Sequence, residues 1–395
     1  MDRIVVTGIG AISAIGNTVA ENRASLLQGK CGIGRLENFP SKFSGLIPVG
    51  EIKVSTDALK EKLDAHEPGI TRTTLLALHA IRETIADSGL SNDQVSSFDT
   101  ALISANTVGG MCLTDEMYKD YQENTPGSEY LSSYDCGATN MYLQKKYAMK
   151  GPVNTINTAC SSSANAIMYG ARLIRNGKAR RAIVGGVDCL AKFTINGFNA
   201  LHILSKENCT PFDEDRNGLN LGEGAAFLVL EKESDTPGKK TYAALSGYGN
   251  ANDSYHASSL SDEGAGPYKA MKNALSCAKL DPSQINFINA HGTATENNDL
   301  VESIAMQRLF EKVPAFASTK GNIGHTLGAA GAIEALYCIL NLSKQELYPA
   351  IHFNKPMAGP GLVPVQSYQK IALDHIMSNS FGFGGNCTSL IFSKI

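Results

Sequence analysis

The sequence predicts an α/β protein made of two similar halves. Short β-branched runs alternate with longer amphipathic stretches, the pattern of a parallel sheet with helical crossovers. A polar break at Glu233-Ser-Asp-Thr-Pro-Gly-Lys-Lys240 separates residues 1–235 from residues 241–395, and each part is long enough for its own core. On both sides of the break the chain runs from strands into a Gly-rich turn, a reactive residue and an apolar helix.

Strands are expected at Arg3–Thr7, Thr100–Ile103, Ala182–Val184, Ala225–Leu230, Ile285–Ile288 and Ala315–Ala317, where β-branched and other apolar residues cluster. Helices are expected at Thr71–Ser88, Ser162–Asn176, Tyr268–Ala278, Leu300–Phe310 and Ala329–Leu342, where apolar residues recur at helical spacing. Gly8-Ile-Gly10-Ala-Ile-Ser13 follows the first strand and looks like half of a dinucleotide fingerprint. Ser13 replaces the third glycine, and no strand ends in an acid at the required distance, so the segment reads as a tight turn. His79 lies in an apolar helical stretch and reads as a satisfied core or boundary residue.

Bulk composition narrows the function classes. Of 395 residues, 43% are hydrophobic and 18% charged, and the formal net charge is -3. That balance is globular and provides no basic field for nucleic acid. Nine cysteines occur, none in a CxxC pair, which disfavours zinc, redox pairs and a complete disulfide framework. No apolar run approaches the roughly twenty residues of a membrane span, and the N-terminus enters a strand at once. A reduced, cytoplasmic protein without a bound metal is the expectation.

Four segments carry candidate chemistry. Asn157-Thr-Ala-Cys160-Ser-Ser-Ser-Ala164 precedes a helix whose buried face includes Ile167, Met168, Ala171 and Ile174. Cys160 therefore sits near a helix N-terminus, where free amides and the dipole favour a thiolate; a buried cysteine in a tight strand–helix turn fits the same residues. Phe287-Ile-Asn-Ala-His291-Gly-Thr293-Ala-Thr295 places a histidine at the exit of a strand, a favoured catalytic position in α/β folds, although a hydrogen-bonded loop histidine is an alternative. Ala317-Ser-Thr-Lys320-Gly-Asn-Ile-Gly324-His325 joins a lysine and a histidine through a glycine turn, which a purely structural turn does not readily explain. Asn379-Ser-Phe381-Gly-Phe383-Gly-Gly385-Asn386 can form a bent hairpin with amides aimed into a pocket, or an ordinary turn before the last strand.

Together these segments resemble the β-ketoacyl-acyl-carrier-protein synthases, type II (the KAS II group of the thiolase-like superfamily). The resemblance runs from Val5-Val-Thr-Gly-Ile-Gly10 to Ser380-Phe-Gly-Phe-Gly-Gly385, through Pro211-Phe-Asp213, Arg216-Asn-Gly218, Gly222-Glu-Gly224 and Asn252-Asp-Ser-Tyr-His256. It implies a thiolase-like αβαβα layered fold of two similar halves and a homodimer, with a heterodimer as the alternative. It further implies a Cys160 nucleophile, His291 and His325 facing a malonyl thioester, and Lys320 beside them. The amides of Cys160 and Phe383 would form an oxyanion hole with Phe383 as a gate. Thr293 and Thr295 would contact phosphopantetheine, which arrives on an acyl carrier protein, so no resident cofactor is expected. Val108, Phe198 and Phe381 would bind substrate, with Met111 a further candidate; Arg72 and Lys206, with Arg172 or Arg175, would dock the acidic carrier.

The implied reaction is a decarboxylative Claisen condensation, in fatty-acid or in related polyene or polyketide synthesis. Initiating synthases carry Asn where His325 stands, and thiolases use a second cysteine as base, which ranks those classes lower. A non-catalytic chain-length partner would usually lack the nucleophile. The chain departs from the family at Asn386-Cys387-Thr388, where Thr-Asn-Gly is usual, at Glu296 in place of proline, and at Gly321-Asn322.

Overall fold

The computed structural model describes residues 2–123 and 127–395. Ten principal strands are β1 Ile4–Ser13, β2 Thr100–Ala105, β3 Val153–Ile156, β4 Arg181–Asp188, β5 Gly224–Lys232, β6 Ala244–Asn252, β7 Phe287–Asn289, β8 Ala315–Ala317, β9 His375–Phe381 and β10 Asn386–Ser393. Six helices frame them: α1 Arg72–Ser88, α2 Ser162–Arg175, α3 Lys192–Ala200, α4 Ala265–Ala278, α5 Glu296–Leu309 and α6 Ala330–Lys344.

The strands form two five-stranded sets in the orders β3-β2-β4-β5-β1 and β8-β7-β9-β10-β6. Each strand of the second set thus occupies the place of the strand five earlier. The directions repeat as well. In each set three strands are parallel, followed by two antiparallel pairings. The parallel pattern read from the sequence holds for three strands of each set, and the remaining pairings are antiparallel. The antiparallel pair β9–β10 arises because four residues, 382–385, close a hairpin, whereas a parallel pair needs a long crossover.

The sets join where Val5 pairs with Ala244. Helices α2 and α6 touch each other and both strand sets; α1 covers the outer face of the first set, and α4, backed by α5, covers the second. The result is a five-layered α–β–α–β–α stack. Helix α6, Ala-Gly-Ala-Ile-Glu-Ala-Leu-Tyr-Cys-Ile-Leu-Asn-Leu through residue 342, is buried along that whole stretch. That is the character of a central-layer helix, apolar all round.

Gly8 and Gly10 lie inside β1, not in a turn. A Cβ on Gly10 would stand 2.3 Å from the Ala80 carbonyl oxygen, so glycine here lets α1 pack directly on the strand. Carboxylates of that helix also accept the otherwise free amides of Ile9 and Ala11, from Asp87 at 3.0 Å and Glu83 at 2.9 Å. His79 on α1 is buried and its Nε2 bonds the Asn17 carbonyl at 2.7 Å, while its Nδ1 has no partner among the described residues, so the expected satisfied histidine is only half satisfied.

Candidate active site

The parallel strands end at one edge of the stack, and the reactive side chains follow them. Cys160 stands four residues beyond β3, His291 two beyond β7 and Lys320 three beyond β8. The Cys160 sulfur and ring nitrogens of His291 and His325 all lie within 4.8 Å of one another. They share the wall of a cavity of about 490 Å³.

A tight turn presents the thiol. Ala159 adopts φ +54, an unusual conformation for a residue with a side chain, and the Ser162 hydroxyl donates to its carbonyl and accepts the Thr158 amide at 2.8 Å. The Gly382–Gly385 turn of the second half presses on this one. A Cβ on Gly382 would meet the Thr158 oxygen at 2.7 Å and the Cys160 nitrogen at 3.2 Å. The backbone N–H groups of Phe383 and of Cys160 itself both favour negative charge on the sulfur.

Helix-terminal amides alone would favour a thiolate, and the structure reverses that expectation. Cys160 is only 6% exposed, and burial pushes its thiol up to about 11, against the opposing pull of Lys320 and the two amides. Desolvating a charge outweighs the partial charges of a helix end.

The histidines are held as neutral donors. Both imidazoles sit well below the ordinary range, through burial first and the Lys320 ammonium next, with His325 adding to the effect on His291. His325 Nδ1 accepts the Leu327 amide at 3.2 Å, so the proton resides on Nε2. That Nε2 is buried without a partner among the described residues. Lys320 Nζ donates to the His291 carbonyl at 2.6 Å, lies 3.3 Å from His291 Nδ1, and pairs with Glu334. An ammonium has no lone pair, so His291 Nδ1 accepts and its Nε2 also carries hydrogen. The rings cross edge-to-face with centroids 5.4 Å apart.

A thiol with two imidazoles could in principle hold a soft metal. Metal-binding histidines, however, donate their remote N–H to an acceptor. Here both remote nitrogens accept, leaving protons where a metal would need lone pairs. The arrangement suits a developing oxyanion.

Acids buried behind the histidines complete the frame. Glu302 accepts the amides of His291 and Gly292, each at 2.9 Å, and burial pushes its carboxyl up to about 7. Glu334, up to about 6 for the same reason, holds Lys320. Asp188 ties the Thr107 and Val108 amides to Gly328 at 2.7–3.2 Å. Nothing local in the sequence marks Glu302 or Asp188 for such a role. A lone glutamate in the otherwise apolar first three turns of α6 is the available signal for Glu334.

The remaining candidates divide. Thr293, Thr295, Phe198, Phe381 and Phe383 line the cavity, and the Phe383 and Phe198 rings stack with centroids 5.8 Å apart. Val108 does not line it; this residue is 1% exposed in the apolar core of the first half, where Met111 packs from one side. Arg72 is not available for docking. Its guanidinium is buried, forks onto Glu223 at 2.6–3.2 Å, and donates to the carbonyls of Ile52 and Val54. Lys206, Arg172 and Arg175 are exposed, but the last two cluster on Tyr248. The Cys387 thiol is buried against the Gly385 carbonyl, away from the cavity lining, and burial raises its pKa, so it does not stand where a thiolase's second cysteine would act.

A five-layered duplicated fold with a Cys–His–His cavity at its strand ends defines a thiolase-like condensing protein. Comparison with known proteins is consistent with that class and narrows it. Residues 1–236 match the family described as beta-ketoacyl synthase, N-terminal domain, and residues 242–354 its C-terminal domain. The chain belongs to the β-ketoacyl synthase family, and as such is an acyltransferase. It is 34% identical to a putative mitochondrial 3-oxoacyl-[acyl-carrier-protein] synthase of Schizosaccharomyces pombe, over 100% of this chain and 99% of that one. With 3-oxoacyl-[acyl-carrier-protein] synthase 2 of Vibrio cholerae it shares 32%, at the same coverage of both chains. Among solved structures, the ishigamide ketosynthase/chain length factor superposes with a TM-score of 0.94 at 27% identity, covering 100% and 99%. The ketosynthase ApeO in complex with its chain length factor ApeC, from Xenorhabdus doucetiae, gives 0.88 at 31%, covering 100% and 98%.

Proposed function

We propose that this ketosynthase extends an acyl group held on Cys160 by two carbons from malonyl-acyl-carrier protein. The acyl group first passes from a carrier thioester to the Cys160 sulfur, whose proton leaves with the carrier thiolate. Malonyl thioester then binds with its thioester oxygen toward the Nε2–H groups of His291 and His325. Breaking the C–CO2 bond leaves an enolate on that oxygen, and each neutral donor stabilises it by about 3–4 kcal/mol. The enolate carbon attacks the acyl carbonyl, whose oxygen faces the Cys160 and Phe383 amides. Collapse expels the Cys160 thiolate, which regains a proton, and releases the β-ketoacyl carrier thioester.

In this reading Lys320 fixes the His291 tautomer, Thr293 and Thr295 contact the phosphopantetheine arm, and Phe198 and Phe381 face the substrate. Lys206 contributes to carrier docking. No cofactor beyond that arm is needed, since decarboxylation itself drives the carbon–carbon bond. We take the chain as a cytoplasmic enzyme of two halves, 1–235 and 241–395, working as a homodimer or beside a chain-length partner. The convergence of one thiol and two imidazoles within 4.8 Å carries the proposal. A turnover assay over a panel of acyl-carrier-protein primers with malonyl-carrier protein tests it. Formation of β-ketoacyl product is expected; absence of any Cys160 adduct would instead mark a non-catalytic partner subunit.

A further inference from the structure

We propose that Asn386 is a positioning residue that sets the spacing of the two backbone amides around the Cys160 sulfur. This role presupposes the condensation chemistry proposed above and adds a determinant of its acyl-transfer half. Asn386 opens β10 directly after the Gly382–Gly385 turn. Its carbonyl accepts the Gly382 amide at 2.8 Å, closing the turn that carries Phe383. Its side-chain oxygen is reached by three donors from other elements. They are the Ser161 hydroxyl at 2.8 Å, Asn165 Nδ2 at 2.8 Å and Asn250 Nδ2 at 2.9 Å.

Ser161 is the residue after the thiol, Asn165 lies in the first turn of α2, and Asn250 belongs to β6 of the other half. Asn165 Nδ2 also donates to Thr158 Oγ1 at 2.8 Å, and the Thr388 hydroxyl donates to Asn165 Oδ1 at 2.8 Å. One amide side chain of the second half therefore grips the turn bearing Cys160, while its own backbone grips the turn bearing Phe383. Two of the three positions at which this chain departs near its C-terminus, 386 and 388, belong to the same network. The two turns pack backbone to backbone, a Cβ on Gly382 standing 3.2 Å from the Cys160 nitrogen, so an acyl carbonyl on the sulfur meets both amides only if the turns keep their register. A displacement of about 1 Å can lower a rate about 100-fold.

Two reactions of the same thiol separate positioning from folding. Acylation by an acyl-carrier thioester passes through an oxyanion; alkylation by iodoacetamide does not, and reports only access and integrity. For Asn386→Leu, acylation is expected to fall about 10- to 100-fold while alkylation stays within about threefold. Asn386→Asp keeps acceptor oxygens for the same donors and is expected to recover acylation to within about fivefold of wild type. Should the leucine variant not fold, Asn165→Ala removes one donor, and a fall of about three- to tenfold in acylation alone is expected. Unchanged acylation in the folded variants, or equal loss of both reactions in them, overturns the role. A wild-type protein that alkylates but never acylates overturns the ketosynthase reading instead.

Discussion

Replacing His325 with alanine separates the two chemical steps. In the proposed mechanism its Nε2–H is one of two donors facing the developing enolate oxygen, and that Nε2 has no competing partner among the described residues. Loss of one preorganised donor of this kind costs about 3–4 kcal/mol. At 1.36 kcal/mol per decade this slows malonyl decarboxylation and condensation about 100- to 1000-fold. His291 remains, so some activity survives. The same change removes the acceptor for the Leu327 amide, a stability loss of about 1 kcal/mol, visible as a small fall in Tm. Acylation of Cys160 draws on the amides of Cys160 and Phe383, not on His325, and is expected within about threefold of wild type. Release of labelled CO2 and intact-protein mass spectrometry measure the two steps on one preparation. A loss of under tenfold in decarboxylation, or an equal loss in acylation, would refute the division of labour.

Other outcomes follow from the same geometry. Because burial raises the Cys160 thiol to about 11, thiolate is scarce at neutral pH. Its iodoacetamide rate should keep climbing from pH 8 toward pH 11 instead of levelling near the ordinary thiol value of about 8.5; a plateau at pH 8–9 would contradict the burial argument. Arg72→Ala leaves Glu223 buried without its partner and should destabilise the fold by about 3–5 kcal/mol in chemical denaturation, with no selective rise in the KM for carrier protein. A selective KM effect at full stability would restore the docking role. Gly382→Ala forces a Cβ to 2.7 Å from the Thr158 oxygen, so acylation should be lost with the nucleophile turn displaced; an active variant with an unshifted Tm would show that the contact is soft.

The residues that meet at the cavity were readable because each follows a strand end in a short run of small residues, a local signal. Cys160, His291, Lys320 and His325 all converge where the duplicated strand order brings them. Local signals failed where the deciding partner is distant in sequence. Arg72 looked like a surface cation because Glu223, which buries it, lies 151 residues away. The helix N-terminus near Cys160 was visible, but the layers that bury the thiol were not, and burial determines its charge. Gly8 and Gly10 resembled a turn because nothing local reveals that α1 packs onto β1. The mixed sheet escaped for a related reason: β-branched runs show where strands are, whereas pairing direction depends on the connections between them.

Enolate stabilisation at this site requires both imidazoles to be neutral and to carry hydrogen on Nε2. Nitrogen-15 NMR of histidine-labelled protein from pH 5.5 to 8.5 measures this for each ring. For His291 and His325 the expected spectra show a protonated Nε2 and a bare Nδ1 across the whole range, with no titration. A ring that titrates near the ordinary value of about 6.5, or that holds its proton on Nδ1, would contradict it.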